Sequence, residues 1–275
     1  MTEKRKTLFI TGSTDGVGRC VAARLARAGT TILIHGRDLM RAELLSEEIR
    51  QAGGNAIFYR ADLASLADVR ALADAVQRDH GQLDLLINNA GIGVGPIDER
   101  RQVSRDGLEL RFAVNYLSGF LLTRRLLPLL KSSNSARIVN VASVGQQPID
   151  FKDVMLEHRY SGARAYCQSK LAQIMFTFDL AEELAGSTVT ANCLHPATYM
   201  DTTMVRVDGL TPMSSIDEGA NAILHLADST AMEGRTGLYF DGTKPVRANA
   251  AAYDKEARKR LRQLSFDLVG EVETQ

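Results

Sequence analysis

Hydrophobic positions in this chain follow two rhythms. Short runs rich in β-branched and aromatic residues recur along it: "TLFI", "TTILIH", "NAIFYR", "LDLLIN", "ARIVNVAS", "TVTANCLH" and "TGLYF". Such runs predict strands. Between the early ones lie "VGRCVAARLARAG", "LMRAELLSEEIRQAGG" and "SLADVRALADAVQRDHG", where apolar residues return every three or four positions. That spacing places them on one face of a helix. Two of these stretches are expected to stop on glycine at C′, where the backbone turns left-handed. Strand–helix–strand alternation predicts an α/β fold, a doubly wound, mostly parallel sheet with helices on both faces. No internal repeat or low-complexity linker divides residues 1–275, so one domain is expected.

Near the end, Tyr253, Ala257, Leu261, Leu264 and Leu268 form a helical stripe beside "DKEARKR". A terminal helix capping the core is expected, since Asp254 and Glu256 dilute the charge that a membrane-surface helix needs. The stretches "NYLSGFLLTRRLLPLL" and "AYCQSKLAQIMFTFDLAEEL" are apolar over more than one narrow stripe. The surplus fits either a partner subunit, in a homodimer or homotetramer, or cover by the long insertion between residues 151 and 164.

Composition narrows the function classes. Lys plus Arg and Asp plus Glu are equal at 33 each, leaving no excess positive charge to drive nucleic-acid binding. The three cysteines, Cys20, Cys167 and Cys193, lack metal-ligand spacing, so no metal site is expected and a reducing, cytoplasmic setting is. Arg124 and Arg125 interrupt "GFLLTRRLLPLL" short of the roughly 18 apolar residues of a membrane span. The start "MTEKRKTLFITG" has too short an apolar stretch for a signal peptide and reads as the approach to a first strand.

The first strand runs into "TGSTDGVG", Thr11 to Gly18, and then into a helix. Gly12, Gly16 and Gly18 permit a tight turn close to a pyrophosphate, with Ser13, Thr14, Asp15 and Val17 completing its backbone cradle. The following helix N-terminus offers free N–H groups to that anion. The second strand ends in Gly36-Arg37, where an NAD-binding enzyme usually carries an acid for the ribose hydroxyls. Arginine there can pair with a 2′-phosphate, so NADP(H) is favoured. Asp38 then reads as a helix cap. Asp62, followed by Leu63, stands at the edge of the third strand, either to accept from the adenine amino group or as a cap. In "NNAG", Asn89, Ala90 and Gly91 are placed to line the cofactor crevice at a strand end.

Together with Asn115, Ser143 and "YCQSK", in this order, these motifs make the chain resemble the short-chain dehydrogenase/reductase family, over nearly its whole length. The segment "IDFKDVMLEHRYSGARAYCQSKLAQIMFTFDLAEEL" looks like the retinol-dehydrogenase-like branch, which tends to a longer stretch between the catalytic Ser and Tyr, as between Ser143 and Tyr166 here. The resemblance implies a single NAD(P)-binding Rossmann domain and hydride transfer between NADP(H) and a carbonyl or alcohol. An NADP(H)-binding regulatory or scaffold protein without turnover is the alternative, and four intact catalytic positions argue against it.

The chemistry suits the residues. Reduction of a carbonyl leaves an oxygen in need of a proton, which Tyr166 can give. A phenol of ordinary pKa near 10 is a weak acid for that work. Lys170 shares its helix face at i,i+4 and, together with the oxidised nicotinamide, is expected to favour the phenolate by charge, and the resemblance has it also bond the nicotinamide ribose. Ser143 can hold the substrate oxygen. By the resemblance, Asn115 helps hold a water linking Lys170 to solvent; taken alone, it reads as a buried amide bonding nearby backbone. In "HPATYMDTTM", Pro196-Ala197 replaces the family's usual Pro-Gly, and Thr198 and Thr202 are candidate amide or phosphate partners. His195 reads as a structural strand-end residue. Pocket covers are expected from "GVGPIDERRQVSRDG", residues 151–164 and residues 197–217. Met155, Leu156, Tyr160, Tyr199, Met200, Met204 and Met213 would make them largely apolar, with Arg100, Arg101 and Arg206 alongside.

Overall fold

A computed structural model of the chain describes residues 6–96 and 100–272. In chain order it runs β1 (Lys6–Ile10), α1 (Gly16–Leu25), β2 (Thr30–Gly36), α2 (Leu39–Gln51), β3 (Asn55–Arg60), α3 (Leu66–Asp79) and β4 (Leu85–Asn88). A π-helical turn (Phe112–Leu117) leads into α4 (Ser118–Lys131), followed by β5 (Ala136–Val141), α5 (Gly162–Glu183) and β6 (Val189–His195). The last part holds α6 (Thr203–Val207), α7 (Ile216–Asp228), β7 (Tyr239–Asp241), β8 (Lys244–Val246) and α8 (Lys255–Val269).

The eight strands form one sheet in the order β3-β2-β1-β4-β5-β6-β7-β8. All pairs are parallel except β7–β8, the short hairpin that the sequence pattern did not suggest. Strand order reverses between β1 and β4, so the crevice at their carboxyl ends is the natural ligand site of such a sheet. Each face of the sheet buries its own apolar cluster. One gathers Val21, Leu25, Leu45 and Ile223 from α1, α2 and α7; the other gathers Leu72, Phe120, Phe176 and Phe266 from α3, α4, α5 and α8.

Asp38 caps α2 as expected, and Ser65 and Ser161 cap α3 and α5, each accepting from a first-turn amide. The glycine stops need correcting. Gly53, at φ 85, closes α2, but α1 ends at Leu25 well before Gly29, and α3 ends through an extended His80.

The C-terminal helix caps the core with a different face from the predicted stripe. Arg258, Leu261, Ser265, Phe266 and Val269 are buried, while Leu264 and Leu268 are only half-buried and Tyr253 is exposed. The register shifts because α8 brings polar groups to α4 and α5. Ser265 Oγ lies 2.6 Å from Tyr116 OH, Arg258 bonds Glu182 at 2.8 Å, and Phe266 stacks edge-on against Phe120. The surplus apolar surface of α4 and α5 is therefore covered by the chain's own last helix, with Phe151 and Val154 of the insertion packing beside it.

Candidate active site

The glycine turn after β1 is built by exclusion. Gly12 and Gly16 have φ of 63 and 54, and a Cβ on Gly18 would lie 2.4 Å from Gly12 O. No side chain fits there without moving backbone. Asn89 closes the turn from the neighbouring strand, donating from Nδ2 to Thr11 O at 2.9 Å and Gly12 O at 3.2 Å. Thr11 Oγ1 in turn accepts from the amides of Asn89 and Ala90, both at 3.0 Å. The amide of Asn89 is thus spent on holding the turn. Ser13 and Thr14 are buried, and a Cβ on Gly36 would lie 2.4 Å from Thr14 Oγ1, so Gly36 gives Thr14 its place.

His35 supports this turn, and the motif pattern did not single it out. Its Nδ1 accepts from Gly12 N at 3.0 Å, and its own amide donates to Ser13 Oγ at 3.0 Å. Burial lowers its pKa to about 4, keeping Nδ1 free to accept. The only signal was its inward place on β2, since its partner lies 23 residues away.

Around the turn, Val17 is buried in the first turn of α1. Asp15 caps that helix, accepting from Gly16 N at 2.8 Å, and pairs with Arg41 at 2.8 Å. Burial raises its carboxyl, but the bonds from Thr203 and Gly16 and the charge of Arg41 outweigh that and leave it lowered. Arg37 stands exposed at the end of β2, without an ion pair among the described residues. Asp62 accepts from Ala64 N at 3.1 Å, and Ser65, not Asp62, caps α3. Leu63 is buried beside it.

The four catalytic candidates come from three parts of the chain, the π-helical turn, the loop after β5 and α5, and meet beyond β4 and β5. Tyr166 and Lys170 share a face of α5, with Nζ 5.8 Å from the phenol ring centre. Lys170 is buried and donates to Val141 O at 2.8 Å, the carbonyl ending β5. Ser143 lies two residues farther on, near enough to Tyr166 to act on its phenol. Gly145, whose amide donates to Ser143 Oγ at 3.1 Å, leaves room there: a Cβ would sit 3.6 Å from Tyr166 Cε1.

Burial pushes Tyr166 up to about 12, against a smaller downward effect of nearby Ser143. Burial also brings Lys170 down to about 8, so desolvation dominates both groups.

Asn115 sits in the π-helical turn, an arrangement often found at functional sites. Its Oδ1 accepts from Ile92 N at 2.8 Å, and its Nδ2 donates to Ile92 O at 3.1 Å and Ser169 Oγ at 3.1 Å. The side chain therefore locks the loop after β4 onto the catalytic helix. Gly91 lies between: a Cβ there would be 3.2 Å from Asn115 Oδ1 and 3.7 Å from Lys170 Nζ.

After β6, Pro196 follows the buried His195, whose Nε2 is 3.1 Å from Thr198 Oγ1 and whose pKa burial lowers. Thr202 caps the short α6. Among the expected covers, Ile97 to Glu99 lie outside the described residues. Leu156 is fully buried. Tyr160 OH accepts from Arg111 at 2.7 Å, and Arg206 bonds Asp201 at 2.8 Å. Tyr199, Met204 and Met213 are exposed.

A doubly wound sheet with a glycine turn at its switch point and a Ser–Tyr–Lys cluster beside it defines a nicotinamide-dependent oxidoreductase fold. The model of the short chain dehydrogenase family matches residues 6–211, and the chain belongs to that family. Within it the chain is retinol-dehydrogenase-like. It is 37% identical to mouse retinol dehydrogenase 14 and 35% identical to human retinol dehydrogenase 12, each over 96% of this chain and 86% of the relative. Among solved structures, an uncharacterized protein from Mycobacterium paratuberculosis superposes with a TM-score of 0.81 at 30% identity, covering 99% of this chain and 96% of that one. Pseudomonas aeruginosa RhlG in its NADP active-site complex gives 0.71 at 27% identity, over 91% of this chain and 97% of that one.

Proposed function

We propose that the protein is an NADP(H)-dependent oxidoreductase interconverting a largely apolar carbonyl compound and its alcohol. The observation that carries this is the meeting of Ser143, Tyr166 and Lys170 opposite the glycine turn. The cradle suits a dinucleotide, since Gly12 and Gly18 keep backbone where a side chain would block a pyrophosphate. Bound there, the nicotinamide would supply or take up the hydride. Ser143 holds the substrate oxygen, and Tyr166 gives it a proton in reduction or takes one in oxidation. Lys170 keeps a positive charge beneath the phenol, and with an unperturbed oxidised nicotinamide it would favour the phenolate in the alcohol direction.

Preference for NADP(H) is supported by Arg37, exposed at the end of β2 and free of an ion pair among the described residues. A bulky apolar substrate is supported by exposed Tyr199, Met204, Val207 and Met213 on the segment after β6. The names of the relatives make a retinoid-sized aldehyde one member of that class. Three free thiols favour a reducing, cytoplasmic setting. Among the described residues no helix is long and apolar enough to cross a membrane. Association through α4 and α5 would require α8 to leave that face, so a monomer is expected in sedimentation at micromolar protein.

The direct test is oxidation of NADPH, against NADH, with a panel of aliphatic, aromatic and polyene aldehydes and ketones. Consumption of NADPH with at least one of them is expected. No consumption with any, by protein that binds NADPH, overturns the activity.

A further inference from the structure

The loop after β4 is gripped from both sides by charged groups. Arg111, almost wholly buried, donates from Nε to Gly93 O at 2.7 Å and from Nη2 to Val94 O at 2.8 Å. From the other side Asp208 accepts from Val94 N at 2.8 Å and Gly95 N at 3.0 Å. The approach is so close that a Cβ on Gly93 would lie 1.9 Å from Asp208 Oδ2. Asp208 is the residue that ends α6. At the other end of that helix, Thr203 Oγ1 donates to Asp15 Oδ2 at 2.8 Å, on the glycine turn. A five-residue helix is thus strung between the cofactor turn and the loop beyond β4.

Apolar anchoring of this segment is limited. Val205 is buried and Met200 packs against the core, but Tyr199, Met204, Val207 and Met213 face solvent. Such a cover is held by its polar ties more than by apolar burial. Bonds from backbone amides to a carboxylate are among the stronger ones available. The charge of Asp208 also reaches the catalytic cluster, acting on Tyr166 together with Cys167 and Tyr199.

We propose that Asp208 is a positioning residue, latching the cover after β6 onto the Gly93–Gly95 loop so that the carbonyl substrate is held against Tyr166. Its role rests on the oxidoreductase activity proposed above. Asp208 touches no reacting atom. It acts through the loop it fastens, while Arg111 holds the same peptides by their carbonyls and keeps them in place for the latch to close on. The turn-side tie through Thr203 and Asp15 leaves NADPH binding largely independent of Asp208.

Asp208→Ala and Asp208→Asn separate the latch from general damage, because asparagine keeps an acceptor for one amide but not the charge. At saturating NADPH, Ala is expected to lower kcat/KM for the carbonyl by at least about tenfold, as loss of charged hydrogen bonds would. Asn should fall less, and NADPH affinity should stay within about twofold in both. Six groups act on or lie beside the phenol: Ser143, Cys167, Lys170, Tyr199, Asp208 and Tyr239. Both variants remove one negative charge from that set, so the pH profile of reduction should move to lower pH in each. Unchanged kcat/KM in Asp208→Ala, or an equal loss of NADPH affinity, overturns the positioning role. If wild-type protein reduces no carbonyl, the activity itself has failed, and amide hydrogen exchange reads the latch alone. Val94 and Gly95 should then exchange at least about tenfold faster in Asp208→Ala; equal rates overturn the latch.

Discussion

Two backbone segments face each other across the end of the sheet, and different chemistry holds them. The glycine turn is fastened chiefly by neutral groups: buried His35 Nδ1 and Thr11 Oγ1, and half-buried Asn89 Nδ2. The loop after β4 is fastened by Asn115 and by the opposite charges of Arg111 and Asp208. Neutral contacts in a dry site vary little with salt, whereas a half-exposed carboxylate is screened and can be released. The turn should therefore respond less to salt than the loop.

The largest effect should fall between the two segments. Tyr166→Phe removes one hydroxyl, so folding and NADPH binding should survive while turnover drops by roughly 100- to 10,000-fold. Near-normal turnover in the folded variant would remove Tyr166 from the chemistry and leave the contrast without a reaction to serve.

The cradle itself can be broken through His35. Its pKa in the folded chain is lowered to about 4 from an ordinary 6.5. A histidine depressed in this way stabilises the fold fully above 6.5, and that contribution is lost as pH falls towards 4. Stability should decline by about 3 kcal/mol across the window. Denaturant unfolding at a series of pH values, for wild type and His35→Gln, checks this. If both chains show the same slope between pH 6.5 and 4, His35 does not hold the turn as a neutral acceptor.

Arg37→Asp tests the cofactor side without touching the turn. NADPH should bind about 10- to 100-fold more weakly, with NADH gaining relative to it. Equal calorimetric affinity of wild type for both cofactors would end the assignment of Arg37. The smallest effect is expected at Arg41, whose pair with Asp15 is half-exposed on both sides. Arg41→Ala should change the stability of the cofactor-free protein by no more than about 1 kcal/mol. A larger loss would mean that charge, too, holds the cradle.

Some of this was written locally. The glycine turn, the caps at Asp38, Ser65 and Ser161, and the i,i+4 spacing of Tyr166 and Lys170 each depend on residues a few positions apart, so the sequence alone could specify them. Strands β1 to β7 followed from their own apolar runs, and the parallel sheet followed from their alternation with helices; β8 did not. The face presented by α8 did not follow, because Arg258 and Ser265 are buried by partners on α5 and in the turn before α4. Nor did the roles of His35 and Asp208 follow. The first bonds across 23 residues and the second across 114. Neither side chain carries a local pattern that names its partner. Only the crossovers of the sheet bring those groups together, and with them the raised phenol of Tyr166, since its burial depends on several elements closing over one helix face.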